Sequence, residues 1–208
     1  MVKSKKQLAV FLSKLKSFTN PNIKLEQYAT PSEIAAEWIW EMALKNEVEG
    51  KTFADFACGP GILGIGLLVM GAKKVHFLDC DSKILEVCKE NYYSLAEEYE
   101  IGEAEFYHCD VSEFNNKEKI DAVVQNPPFG TKEKHVDKKF LEMAFKITNV
   151  VYSMHKTTTK SFVEAISKDF GFEITHHYYY KFPLAKTMSH HKKRFEYVDV
   201  DLFRMEKK

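Results

Sequence analysis

Asp55-Phe56-Ala57-Cys58-Gly59-Pro60-Gly61-Ile62-Leu63-Gly64 decides the fold, because it joins a strand-like stretch to a helical one. Before it, Thr52 to Ala57 is a short apolar run; after it, Leu63 to Met70 reads as a helix. Small residues at such a junction let the backbone approach a ligand, and the unpaired N–H groups at the helix start favour a carboxylate or phosphate. Gly59, Gly61 and Gly64 fit the spacing GxGxxG, shared with dinucleotide-binding proteins and with turns that serve packing alone. Taken alone, it does not choose a ligand.

Working outward, the alternation of strand and helix continues. Val75 to Leu78 is a second strand ending in Asp79, followed by a helix from about Ser82 to Tyr99. Glu105 to Cys109 and Ile120 to Val124 read as the third and fourth strands. A helix around Lys138 to Thr148 and the strand Val150 to Tyr152 come next. Thr157-Thr158-Thr159 can cap a further helix that stops at Gly171. Two closing strands, around Phe172 to Tyr180 and Tyr197 to Met205, have no helix between them and are expected to pair antiparallel. The pattern implies an α/β fold, a Rossmann-like, mostly parallel sheet with helices on both faces.

Upstream, Ser4 and Gln7 have capping-box spacing, and Leu8, Phe11, Leu12, Leu15 and Phe18 recur at helical intervals. A second helix is expected to start at Thr30 as N-cap, with Pro31 at N1 and Glu33 closing a capping box. The whole is expected to be one domain, 1–208, with a helical extension over about 1–48.

The 208 residues balance 30 Lys plus Arg against 30 Asp plus Glu, so any affinity for nucleic acid must come from local clustering. The apolar run Ile62 to Ala72 is interrupted by glycines and falls short of the ~20 residues a membrane span needs. The apolar run Leu8 to Leu12 is shorter than the ~7 to 15 residues of a signal-peptide core. A cytoplasmic protein with no membrane partner is expected. Cys58, Cys80, Cys88 and Cys109 form no CxxC pair and read as reduced, small buried hydrophobes. The histidine pairs at 176/177 and 190/191 would point to opposite faces of a strand, so no metal site is expected.

Two acids frame the glycine turn. Asp55 lies inside the first strand near its end, where an unpaired carboxylate is costly to bury. Asp79 ends the second strand at about the offset of a ribose-binding acid, although a helix cap would explain it too, with Asp81 competing for that job. Asp110, ending the third strand, reaches the same rim and can accept from an adenine amine.

Asn126-Pro127-Pro128-Phe129-Gly130 after the fourth strand is the most informative stretch. Prolines would merely end a strand, but that leaves Asn126 and Phe129 unexplained. An adenine or amide nitrogen is a poor nucleophile because its lone pair is delocalised. The Asn126 side-chain oxygen and the Pro127 carbonyl can accept both amine hydrogens and favour rehybridisation as the nitrogen attacks a methyl group. Phe129 offers a flat face for an unpaired base, worth ~1 to 3 kcal/mol.

Together, Asp55 to Gly61, Asp79, Asp110 and Asn126 to Phe129 resemble the class I amino-methyltransferases that use S-adenosylmethionine. Leu25-Glu26-Gln27-Tyr28-Ala29-Thr30, Tyr152-Ser153-Met154-His155-Lys156, His191-Lys192-Lys193 and Val200-Asp201-Leu202 extend the likeness to the methyltransferase-like protein 5 group. That resemblance implies methylation of adenine N6 in small-subunit ribosomal RNA, and seven strands with the last inserted antiparallel. It implies cofactor contacts from Gln27, Thr30, Asp55 and Gly61, a methionine site at Ala57, Gly59, Pro60 and Ile62, and a ribose site at Asp79. It places the cofactor adenine at Asp110 and Val111, and the target amine at Asn126 with Pro127, Pro128 and Phe129. Ala57 departs from the family's common glycine, which is harmless if its φ is negative.

Lys181 to Arg194 contains no acid; Lys186, Lys192, Lys193 and Arg194, with flanking aromatics, suit RNA. An ordinary solvated loop has the same composition. His155 and Lys156 are expected at the rim beside it. If the strand order is the family's, Glu105 to Cys109 is an exposed edge, where family members dock a small zinc-binding activator protein. The rival readings are a protein-glutamine methyltransferase, which more often resembles Asn-Pro-Pro-Tyr, and a catalytically silent RNA-binding scaffold of the same fold. A dinucleotide oxidoreductase would leave Asn126 to Phe129 without a purpose.

Overall fold

The computed structural model describes residues 2–19, 21–22, 25–129, 136–185 and 195–208. Seven strands form one sheet: β1 (Thr52–Phe56), β2 (Lys74–Asp79), β3 (Glu103–His108), β4 (Ala122–Gln125), β5 (Val150–Lys156), β6 (Phe172–Ala185) and β7 (Phe195–Lys207). Their order is β3-β2-β1-β4-β5-β7-β6, with β1 to β5 parallel and β7 antiparallel to both neighbours. The expected Rossmann-like sheet with an inserted last strand is therefore present. β5 runs four residues beyond the expected Tyr152, because its pairing with β7 continues from Val150↔Glu206 to Lys156↔Val200.

Helices α1 (Lys5–Leu12), α2 (Ser32–Leu44), α3 (Ile62–Val69) and α4 (Ser82–Ala96) pack with one face of the sheet; α5 (Val136–Ile147) and α6 (Lys160–Asp169) pack with the other. Alternate residues of β1 feed the two cores, Phe53 into the first and Ala54 and Phe56 into the second. Trp38, Phe53, Phe77 and Phe182 are fully buried on the first side, and Phe56 and Phe203 on the second. Each side chain of that size contributes roughly 1.5 to 3 kcal/mol by leaving water.

Both N-terminal helices differ from expectation. Ser4 caps α1, accepting from Gln7 N at 3.2 Å, but the helix stops at Leu12 instead of continuing towards Phe18. Its last turn tightens into i→i−3 bonds from Lys14 and Leu15. The following segment is then clamped by the buried Asn91 of α4. Its Oδ1 accepts from Lys16 N (2.9 Å), and its Nδ2 donates to the carbonyls of Lys16 and Pro60 (both 2.9 Å). The predicted capping box of α2 does not form: Pro31 occupies the cap position, with no side-chain bond to the helix. Thr157-Thr158-Thr159 form a 3-10 turn before α6; Thr159 takes the cap position as expected, but its Oγ1 donates back to Lys156 O and makes no capping bond to the helix. Gly171 ends α6 with φ +77°, as its position suggested.

Candidate active site

The carboxyl ends of β1, β2, β3 and β4 open into a cleft of about 1100 Å³, counting its mouth. This is where open α/β sheets bind ligands. The glycine turn forms its floor. Gly61 has φ +87°, and a β-carbon there would stand 2.4 Å from Cys88 Sγ. At Gly64 one would stand 2.3 Å from the Phe77 ring, so α3 can sit this close to β2 only with glycine. Ala57 has φ +53°, so the condition under which alanine would be harmless there is not met. A non-glycine residue in the left-handed region costs roughly 1 to 2 kcal/mol. Glu26, with φ +50°, is a second such residue lining the same cleft. Strain of this kind gathers at functional sites.

Of the residues expected to hold a cofactor, the cleft is lined by Gln27, Ala57, Gly59, Asp79, Asp110, Val111 and Asn126. Asp79 accepts from Gly59 N (2.9 Å) and Asp81 N (3.0 Å). Burial pushes its carboxyl up, and these backbone bonds oppose the shift. Asp81, not Asp79, caps α4 through Lys83 N, and it also accepts from Gln27 Nε2 at 2.8 Å. Gln27 thereby ties the N-terminal segment across the cleft. Asp110 caps a 3-10 turn over Val111–Glu113; hydrogen bonds from Ser112 hold its carboxyl below the usual range.

Asp55, Pro60, Gly61 and Ile62 do not line the cleft. Asp55 is only 1% exposed and accepts from Gly64 N (2.8 Å), capping the start of α3 from inside the sheet where Gly61 has no side chain to do so. Burial drives its carboxyl to about 8, opposed by the Gly64 bond and reinforced by the charge of Asp79. It is thus a structural acid beneath the turn and not a cofactor contact.

Asn126, Pro127 and Pro128 line the cleft beside Tyr28. Asn126 Nδ2 donates to Thr30 Oγ1 at 3.0 Å, while Asn126 Oδ1 is buried without a hydrogen-bond partner among the described residues. Thr30 therefore stands behind the amide instead of lining the cleft. Phe129 is also displaced from its expected role. It is 7% exposed, stacked on Tyr28 (6.1 Å between centroids, 20° between planes) and met edge-on by Phe182. Lys156 Nζ lies 5.8 Å from its ring centroid. Tyr28, stacked on that ring, lines the cleft beside the Asn-Pro-Pro turn.

His155, expected at the RNA rim, is 2% exposed. Gln125 Nε2 donates to Ser153 Oγ (2.9 Å), which leaves the serine hydroxyl to donate to His155 Nε2 (2.7 Å). Burial lowers the histidine to about 3, so it is neutral and internal. Lys186, Lys192, Lys193 and Arg194 lie outside the described residues. Val136, Lys139 and Phe140 of α5 also line the cleft. Sequence reasoning missed them, since an amphipathic pattern does not say which end of the sheet a helix overhangs.

A strained glycine turn, an acid ending β2 and an acceptor turn after β4, all on one rim of this sheet, define a class I, S-adenosylmethionine-dependent methyltransferase. The methyltransferase small domain model matches residues 35–150. MJ0284, an uncharacterised protein of Methanocaldococcus jannaschii, is 34% identical over 98% of this chain and 94% of its own. The rRNA N(6)-adenosine-methyltransferase METTL5 of Danio rerio is 31% identical over 96% of this chain and 97% of its own. The crystal structure of PH1948, a candidate RNA methyltransferase of Pyrococcus horikoshii, superposes with a TM-score of 0.88 at 40% identity, covering 100% of this chain and 99% of that one. The chain belongs to the methyltransferase small domain family, alongside the METTL5 enzymes.

Proposed function

We propose that this methyltransferase acts on N6 of an adenosine in small-subunit ribosomal RNA. The observation that carries the reading is the unmatched Asn126 Oδ1, a buried acceptor beside the cleft whose amide nitrogen is already engaged. An exocyclic amine supplies the donor that this acceptor lacks, and Pro127, having no N–H, adds a carbonyl and no competing donor. S-adenosylmethionine, when bound, supplies the electrophilic methyl group. Asp79 is suited to ribose hydroxyls, and Asp110 with Val111 to the cofactor's adenine. Alignment and fixed dipoles then carry the rate, with no general base required. The name of the zebrafish relative supports the choice of RNA adenine over protein glutamine. Tyr28, lining the cleft, takes the stacking role first assigned to Phe129.

Lys156 at the rim and the basic stretch from Lys186 to Arg194 form the proposed RNA path, and the cytoplasm, where four thiols stay reduced, the proposed compartment. Among the described residues β3 pairs with β2 and no other strand, so its outer edge suits a strand added by a small zinc-binding activator protein. Unchanged solubility and RNA affinity on adding such a protein would remove that partner.

The deciding experiment combines the protein, labelled S-adenosylmethionine and unmodified small-subunit ribosomal RNA, then identifies the methylated nucleoside by mass spectrometry. N6-methyladenosine made by the wild type and not by Asn126→Ala is expected. Label in protein glutamine, with none in RNA, would overturn the substrate.

A further inference from the structure

We propose that Thr30 is the positioning residue that makes Asn126 present its amide oxygen, and not its NH2 group, to the amine being methylated. The inference rests on the reading above that Asn126 is the acceptor. A side-chain amide has two ends of nearly the same shape and opposite hydrogen-bonding character. For catalysis the oxygen must face the cleft, so the NH2 group needs a buried acceptor on the far side. Thr30 Oγ1, 3.0 Å from Asn126 Nδ2, is that acceptor. It comes from a segment 96 positions earlier in the chain and is itself buried.

A second observation points the same way. Thr30-Pro31-Ser32-Glu33 spells a helix start in which a threonine hydroxyl would ordinarily bind the first turn. In the fold α2 begins one residue later, capped by Pro31 without a side-chain bond, and the hydroxyl turns to Asn126 instead. The cap is given up and the contact with the Asn-Pro-Pro turn is made. Thr30 thus acts through Asn126, with the β4 end and the N-terminal segment fastened together at the reacting position.

The test compares Thr30→Val, which keeps the shape and removes the acceptor, with Thr30→Ser, which keeps the hydroxyl. Turnover is measured at saturating cofactor and RNA, and S-adenosylhomocysteine affinity is measured separately. Thr30→Val is expected to lose ~10- to 100-fold in kcat, the scale of a small misplacement at a reacting centre. Turnover read at saturating cofactor is separated from any change in S-adenosylhomocysteine affinity, and Thr30→Ser should recover most of the turnover. The Asn126 side-chain NH2 signal, assigned by its disappearance in Asn126→Ala, should lose its protection from solvent exchange in Thr30→Val. That readout needs no turnover, so it tests Thr30 even if the RNA substrate is wrongly chosen. Normal kcat in Thr30→Val would overturn the proposal. So would a loss confined to cofactor affinity, a Thr30→Ser as slow as Thr30→Val, or an unchanged NH2 signal.

Discussion

The two ends of the sheet treat buried polar atoms in opposite ways. At the amino ends of the parallel strands, Arg204 of β7 is 6% exposed and fully engaged. It donates to Glu47 (2.5 and 3.2 Å), Thr175 (2.6 Å), Glu206 (2.7 Å) and Tyr152 (3.2 Å), and Tyr152 in turn donates to Glu47. At the carboxyl ends, Asn126 Oδ1, beside the cleft, is buried without a partner among the described residues, and Ala57 and Glu26 hold left-handed backbone. One end spends its polar groups on holding the fold, and the other leaves a buried acceptor beside its cleft. A satisfied buried network specifies a structure, whereas an unsatisfied atom beside a cleft specifies a ligand.

That contrast can be broken most severely at Asn126. Asn126→Ala should cut single-turnover methyl transfer on the order of 100- to 1000-fold, the scale for one preorganised polar group at a reacting centre. Its stability should fall by only about 1 kcal/mol, the worth of the lost Nδ2–Thr30 hydrogen bond, because the lost oxygen had no partner among the described residues. A large stability loss with normal transfer would reverse the assignment of the two ends. Arg204→Ala is the mirror experiment: about 3 kcal/mol of stability should go, as when one member of a buried ion pair is removed. Affinity for S-adenosylhomocysteine, measured by calorimetry well below the lowered melting point, should be unchanged.

Asp55→Asn sharpens the comparison through pH. The folded carboxyl titrates at about 8 against an ordinary 3.8, so the folded state holds a proton that the unfolded chain releases. Its contribution to stability is complete below about pH 4, declines as pH rises, and is lost once pH passes 8. The asparagine variant escapes that decline and can still accept from Gly64 N. Its advantage over wild type should widen from pH 5 to 9 and exceed about 1 kcal/mol, one pKa unit being worth roughly 1.4. Parallel stability curves would show that Asp55 is not titrating. The smallest effect belongs to Ala57→Gly: relief of left-handed strain, less the added freedom of the unfolded chain, should leave about 0.5 kcal/mol of stabilisation. A drop in melting temperature would mean that the turn relies on the alanine methyl group.

Much of this was legible because it is local. Strand and helix periods, the glycine turn and the Asn-Pro-Pro acceptor are written in consecutive residues, and the sheet follows from their alternation. What escaped depends on partners far along the chain. Thr30 reads as a cap until Asn126 takes its hydroxyl. Phe129 reads as an open platform until Tyr28 and Phe182 cover it. His155 reads as a rim residue until β5 proves to continue past it and Ser153 draws its ring inward. The sign of Ala57 φ was likewise not legible, since only the assembled turn imposes it.

The position of β7 bears on how the chain is made. β6 leaves the ribosome before β7, yet β7 is the strand that lies between it and β5. For that interval the fourteen residues of β6 lack their native strand partner, while every residue lining the cleft has already been made. Completion of the sheet is an insertion into a waiting gap, with long-range pairing that is slow to form and open to aggregation until it closes.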